Sequence, residues 1–267
     1  MPEPIEAPTH RSGPRPVTDA EHESVPIRLA ASPASPRAAR VFQLPEGQLL
    51  GRRIVAGEPT HPAAGAFKLL RTQVLQRMRA HDWQLLGVAS ARARDGKTTV
   101  AANLAMAIAA DPRHTALLVD LDLRRPSVAA TFGATAEHGI DDVLRGSVSA
   151  DMCLLRPAAI AGLALLPARI PNADASRLLA AAPCQALLGE LRGRYVNRIV
   201  LVDMPPILEA DDALTIAPLL DALLFVVAEG RTARDDVARA LHLVRDAPVI
   251  GTVLNRSIEA IRSESYG

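Results

Sequence analysis

Three short stretches of this chain carry side chains whose types and spacing suit phosphate and a divalent cation. The first runs Val88-Ala-Ser-Ala-Arg-Ala-Arg94-Asp95-Gly96-Lys97-Thr98-Thr99, between an apolar run and a helical pattern that starts at Val100. A loop that leads from a strand into a helix aims backbone N–H groups and the positive end of the helix dipole at an anion. Lys97 then supplies a point charge for the β- and γ-phosphates of a nucleotide, and the Thr98 hydroxyl can ligate Mg²⁺. Arg94, Asp95, Gly96 and Thr99 complete the expected cradle, with Lys97 at a solvent-facing phosphate position. A full Walker A motif has glycine where this chain has Ala91.

The second stretch is Leu117-Leu-Val-Asp120-Leu-Asp122-Leu-Arg124-Arg125-Pro-Ser127. Alternation along a strand would put Asp120 and Asp122 on one face at the sheet's edge. Two carboxylates there are costly unless a cation or a proton compensates them. Mg²⁺ ligation with base duty is one reading, and a turn salt-bridged by Arg124 and Arg125 is the other. The third stretch, Ile199-Val-Leu-Val-Asp203-Met-Pro-Pro206, ends an apolar strand in a single carboxylate. That is the Walker B arrangement, in which Asp203 holds Mg²⁺ through water.

The surrounding pattern supplies elements to position these groups. Phe67, Leu70, Val74, Leu75 and Met78 recur at helical spacing and predict a helix from about Gly65 to Arg79. Strand-length apolar runs follow at Leu85 to Ser90, Ala116 to Leu121, Leu163 to Leu166, Ile199 to Asp203, Ala222 to Ala228 and Val249 to Leu254. Helices are expected at Thr98 to Ala110, Gln185 to Arg192, Ala213 to Leu219 and Thr232 to Arg245, the last burying Val237, Leu241 and Val244. Continuous apolar strands alternating with helices predict an α/β fold, a mostly parallel sheet with helices on both faces. Ligands of such sheets sit at the carboxyl ends of the strands, where all three stretches fall.

Composition bounds the rest. The 267 residues allow one core plus an appendage, and 49% apolar with only 3% aromatic residues implies a core of Ala, Leu, Val and Ile. A formal charge of +1 argues against a nucleic-acid partner, which calls for a clustered basic face. Cys153 and Cys184 lack metal-ligand spacing and read as small core residues in a reducing cytosol. No signal peptide opens the chain, and Ala217 to Ala228 is broken by Asp221 and short of the ~20 residues of a membrane span, so the chain reads as soluble. Residues 1–45 hold nine of the 21 prolines and no apolar periodicity. They are expected to be a disordered arm, either a plain solvated tail or a tether for a partner. Residues 46–255 are then the catalytic domain and 256–267 a short flexible tail.

Taken together, the motifs resemble the cytoplasmic tyrosine kinases of bacterial capsule and exopolysaccharide systems, a branch of the MinD/ParA-like P-loop ATPases. The D-x-D-x-R stretch matches that family's Walker A′ without a gap. Gly139-Ile-Asp-Asp-Val-Leu-Arg-Gly146, Leu165-Leu-Pro167, Asp211-Asp212-Ala213 and Ile250-Gly-Thr-Val-Leu-Asn255 extend the match. The resemblance implies ATP and Mg²⁺ as cofactors, with Lys97 and Thr98 on phosphates and metal, and Asp122 and Asp203 holding Mg²⁺. It also implies Asp120 as base for the incoming tyrosine hydroxyl and Asn255 against adenine, or else as a plain turn former.

By the same resemblance the chain is a tyrosine autokinase that regulates polysaccharide polymerisation and export. It would work in the cytoplasm, recruited to the inner face of the plasma membrane by a membrane-embedded co-polymerase. The alternative is a MinD/ParA-like regulatory ATPase without kinase activity. Three departures stand out. Ala93-Arg94 replaces the usual Pro-Gly, so a positive φ at Arg94 would cost roughly 1–2 kcal/mol; Arg92 and Arg94 are free either to approach phosphate or to face solvent. The ring-forming E-x-x-R-x-x-R reads Gly65, Lys68, Arg71, which removes partners from a homo-oligomer's salt bridges. The family's tyrosine-rich tail is reduced here to Tyr266, the expected phosphoacceptor, since the other of the two tyrosines, Tyr195, reads as structural.

Overall fold

A computed structural model describes residues 39–44, 47–193 and 197–257. Eight strands are present among them: β1 Arg40–Phe42, β2 Leu85–Ser90, β3 Thr115–Asp120, β4 Leu155–Pro157, β5 Leu163–Leu166, β6 Arg198–Asp203, β7 Ala222–Ala228 and β8 Val249–Asn255. Helices α1 Gln48–Gly51, α2 Pro62–Ala80, α3 Lys97–Ala109, α4 Val128–Thr131 and α5 Ile140–Leu144 cover the first half. Helices α6 Ala150–Cys153, α7 Ala175–Ala180, α8 Ala182–Leu191, α9 Asp212–Ile216 and α10 Arg234–Leu243 cover the second.

The strands form one sheet in the order β1-β4-β5-β3-β6-β2-β7-β8. Every pairing is parallel except β4 with β5. The long central strands are buried on both faces, which is why they read as unbroken apolar runs. Their period of two splits the core into two layers. Leu85, Leu117, Val119, Val200 and Val202 face the layer that α5 and α7 to α10 cover. Leu86, Val88, Leu118, Ile199 and Leu201 face the one that α2 and α3 cover.

Helix α3 is buried nearly all round, as an apolar helix in the middle of a sheet face must be. Its one polar interior residue, Asn103, is fully satisfied. Its Oδ1 accepts from Val55 N (2.7 Å) and Ala56 N (3.0 Å), and its Nδ2 donates to Arg53 O and Thr99 O. Asn103 thus fastens the segment before α2 to the helix that starts at the phosphate loop. In the 139–146 motif, Gly139 caps α5 with its N–H donated to Asp142 Oδ2, and a Cβ there would collide with Arg169 N. Ile140 N donates to Pro167 O at 2.7 Å, so this motif and Leu165-Leu-Pro167 are two sides of one joint.

The domain boundary needs one correction. Arg40–Phe42, inside the stretch assigned to the arm, is an edge strand paired with β4. The arm's expected end at residue 45 is therefore too late, and residues 1–38 lie outside the described residues. A three-residue strand is too short to show alternation, and its proline-rich surroundings hid it. Both cysteines are buried core thiols, and burial pushes each up to about 12. Ala240 of α10 and Val244, its C-cap, are buried, while the expected Val237 and Leu241 pack partly buried against the same layer. Among the described residues no helix is long and apolar enough to cross a membrane.

Candidate active site

The loop Ala91 to Gly96 joins β2 to α3, and its backbone is shaped by its own polar groups. Ser90 Oγ donates to Arg92 O (2.8 Å), and Asp95 Oδ2 accepts from Arg92 N (3.1 Å). Gly96, at φ 101°, caps α3, and a Cβ there would overlap the amide of Asn255. Asn255, at the end of β8, donates its Nδ2 to Asp95 O at 2.8 Å. Arg256 Nη2 reaches Arg94 O at 3.0 Å. The strand end thus clamps the phosphate loop, which is the contact observed for Asn255; its place in the cleft wall leaves the expected adenine role a proposal.

Arg94 has φ 67°, the left-handed region that the loop's usual glycine adopts without strain. Its exposed side chain makes the strain a backbone matter. Arg94→Gly relieves about 1–2 kcal/mol of αL strain but returns about 0.4–1 kcal/mol through the freer unfolded chain. The expected result is a net gain of up to about 1.6 kcal/mol in urea unfolding. A loss of stability would show that the arginine side chain makes a contact worth more than the strain.

Arg94 to Thr99, Asp122 and Asn255 line one open cleft of ≈ 1130 Å³ at the carboxyl ends of the strands. Lys97 is not solvent-facing as expected: its side chain is 6% exposed and its Nζ lies 3.2 Å from Asp122 Oδ2. Thr98 Oγ1 donates to Asp203 Oδ2 at 2.5 Å and sits 3.0 Å from Ser127 Oγ. The register pairs Asp120 with Asp203 directly across β3 and β6.

Val119, Leu121 and Leu123 all face one core layer, so the alternation runs past the strand end, but Asp120 and Asp122 differ in burial and in partners. The strand stops at Asp120, whose Oδ2 accepts from Ser127 N (2.9 Å) and Val128 N (3.0 Å) and so turns the chain into α4. Asp120 is fully buried beside Asp203, behind the cleft, while Asp122 borders the cleft itself. Asp120, expected as the base facing a substrate hydroxyl, is therefore the less accessible of the two. Burial, with Asp203 next to it, pushes the Asp120 carboxyl well above the usual range. Burial raises Asp203 to about 6 against the opposing pull of Lys97 and Thr98. Neither Arg124 nor Arg125 makes the salt-bridged turn of the rival reading through its side chain: Arg124 pairs with Asp212 (2.6 Å) and Arg125 with Glu209 (2.8 Å).

These residues fit a magnesium ion. Asp120 Oδ1 and Asp203 Oδ1 are buried oxygens without a hydrogen-bond partner, an arrangement that a cation between them would satisfy. Among the described residues no group of three His, Cys, Asp or Glu forms a ready-made cage. Arg92, left open between phosphate and solvent, is held by Asp236 through Nε (2.5 Å) and Nη2 (2.9 Å). In the altered ring signature Lys68 is exposed and Arg71 donates to Ala107 O at 3.3 Å. Tyr195 and Tyr266 both lie outside the described residues. Glu209 and Asn103 escaped sequence reading, for neither belongs to a motif of its own.

The geometry agrees with the comparisons to known proteins. Residues 83–265 match the ParA family model, described as NUBPL iron-transfer P-loop NTPase. The succinoglycan biosynthesis transport protein ExoP of Rhizobium meliloti (strain 1021) is 32% identical over 214 residues, 77% of this chain and 26% of that protein. The tyrosine-protein kinase YwqD of Bacillus subtilis (strain 168) is 26% identical over 224 residues, 83% of this chain and 92% of that protein. Among solved structures, the VpsO kinase domain superposes with a TM-score of 0.65 at 26% identity, covering 79% of this chain and 96% of that one. The chain thus spans about a quarter of the longer relatives such as ExoP, and nearly the whole of YwqD. A phosphate loop on a parallel sheet, carboxylates at the ends of two adjacent strands and a family match over most of the chain lead to one conclusion: the chain belongs to the ParA family of P-loop NTPases.

Proposed function

We propose that this chain is an ATP-dependent tyrosine kinase that regulates polysaccharide polymerisation and export together with a membrane-embedded co-polymerase. The observation that carries the reading is the division of labour among three carboxylates. Asp120 and Asp203 stand together behind the cleft with unpartnered oxygens, and Asp122, itself buried, lines the cleft beside Lys97. Two carboxylates for the metal and a third within reach of an incoming hydroxyl are what phosphoryl transfer to a protein requires. The kinase names of YwqD and the VpsO domain support it, as does the export role in the name of ExoP.

In this reading Asp120, Asp203 and the Thr98 hydroxyl would hold Mg²⁺, which would neutralise charge on the phosphates. Lys97 leaves Asp122 for the β- and γ-phosphates. Asp122, released, takes the proton of the tyrosine hydroxyl. The roles first assigned to Asp120 and Asp122 are thereby exchanged, on grounds of accessibility. Binding order and alignment carry most of the rate, since the transferred group needs little covalent help.

The competing reading is a ParA-type switch, in which nucleotide binding regulates a partner and no protein is modified. The chain's two tyrosines favour it. Intact-mass analysis after incubation with Mg·ATP and a candidate membrane partner separates the two. A kinase adds phosphate to Tyr266, and Tyr266→Phe removes the phosphotyrosine while ATP binding persists. Hydrolysis with an unmodified mass under activating conditions would leave the switch.

A further inference from the structure

We propose that Glu209 is a built-in competitor for the terminal phosphate, setting how strongly this site prefers a nucleoside triphosphate over a diphosphate. The inference rests on the reading of the cleft as a nucleotide site and adds a determinant of its specificity.

Glu209 stands on the loop after β6, which is laced to the phosphate loop by Ile207 N to Ser90 O (3.0 Å) and Leu208 N to Ala91 O (3.1 Å). Its Oε1 accepts the backbone N–H of Ala93 at 2.6 Å, and its Oε2 accepts from Arg125 Nη1 at 2.8 Å. A phosphate-loop amide and a guanidinium are the two donors that recognise phosphate oxygens best. One carboxylate bridges both, as two oxygens of a phosphate group would. Partial burial opposes its ionisation, yet the Ala93 N–H and Arg125 hold the carboxyl below its usual range.

The position within the loop decides which phosphate is concerned. The lysine of a phosphate loop reaches the β- and γ-phosphates. Arg125 follows Asp122, the partner of Lys97, and the charge of Lys97 also acts on the Glu209 carboxyl. Glu209 therefore holds the donors at the outer end of the phosphate track. A diphosphate binds with Glu209 in place. A triphosphate must take the Ala93 N–H and Arg125 from it and meets a like charge besides.

The test is a titration of Mg·ADP and of a non-hydrolysable Mg·ATP analogue into the full chain, its Glu209→Gln variant and its Glu209→Ala variant. Loss of the carboxylate should tighten triphosphate binding roughly tenfold, the weight of one charge-assisted hydrogen bond, and leave diphosphate binding within about twofold. Glu209→Gln keeps an acceptor for Ala93 and removes the charge, so it should show most of the same gain with an unchanged melting temperature. An equal change for both nucleotides, or a weakening of both, would make Glu209 a mere brace of the loop and overturn the proposal. Failure of either nucleotide to bind the unaltered chain would remove the nucleotide reading, and this proposal with it.

Discussion

Replacing Lys97 with methionine should cost this protein both its turnover and a large share of its stability. Removing a charge aimed at the transferred phosphoryl group lowers turnover by roughly 10²–10³ or more. The stability effect comes from burial. Lys97 and Asp122 side chains are each 6% exposed, and Lys97 also offsets the charge of Asp203. Deleting one partner of a buried pair typically costs about 3–5 kcal/mol, because the other is left uncompensated. The cleft admits water to Asp122, so the lower end of that range applies. Lys97→Met combined with Asp122→Asn should recover most of the stability and none of the turnover. Urea unfolding and a phosphate-release assay on the three variants check both halves. A Lys97→Met protein as stable as its parent, or one hydrolysing ATP at the parental rate, would refute this account.

Much of the fold could be read in advance because its central strands are buried on both faces. Runs such as Leu85–Ser90 and Ala222–Ala228 are apolar without interruption, and both strands have the bounds their sequence implied. The helical stripe of Phe67, Leu70 and Val74 was equally plain. What stayed hidden was short or set by tertiary contact. Strands β1 and β4 have three residues each, below the length at which any period is visible. Helices α4 and α6 are single turns held by their neighbours.

The site divided in the same way. Gly96, Lys97, Thr98 and Asp203 declare themselves by motif. What the motif did not reveal was how differently Asp120 and Asp122 are partnered where β3 ends. The backbone N–H groups of Ser127 and Val128 capture Asp120 there, and the chain turns. Glu209 and Asp236 were illegible because their meaning lies in partners 116 and 144 residues away, Ala93 and Arg92.

The paired carboxylates behind the cleft lead to the second large effect, a coupling between magnesium and pH. In the folded protein burial raises Asp203 to about 6 and Asp120 well above the usual carboxylate range. Unfolded, both titrate near ~3.9. Between those values the folded state binds more protons than the unfolded one, so stability falls as pH rises. The contribution of the pair is complete below about pH 4 and is lost as pH climbs through about 6 and beyond. Mg²⁺ inverts the balance, because it binds the ionised pair and displaces the protons. Melting in EDTA should therefore drop between pH 5 and pH 8, and the increment restored by Mg²⁺ should grow over the same interval. Asp120→Asn removes a like charge from beside Asp203 while its side-chain oxygen can still accept from Ser127 and Val128. That variant should lose the part of the decline that Asp120 carries and most of the response to Mg²⁺, while burial of Asp203 keeps a smaller decline through about pH 6, and the difference from the unaltered chain isolates Asp120. A Mg²⁺ increment that is flat with pH, or one that survives Asp120→Asn, would mean that the metal sits elsewhere, with Asp122 as its chief carboxylate and Asp120 left as the cap of α4.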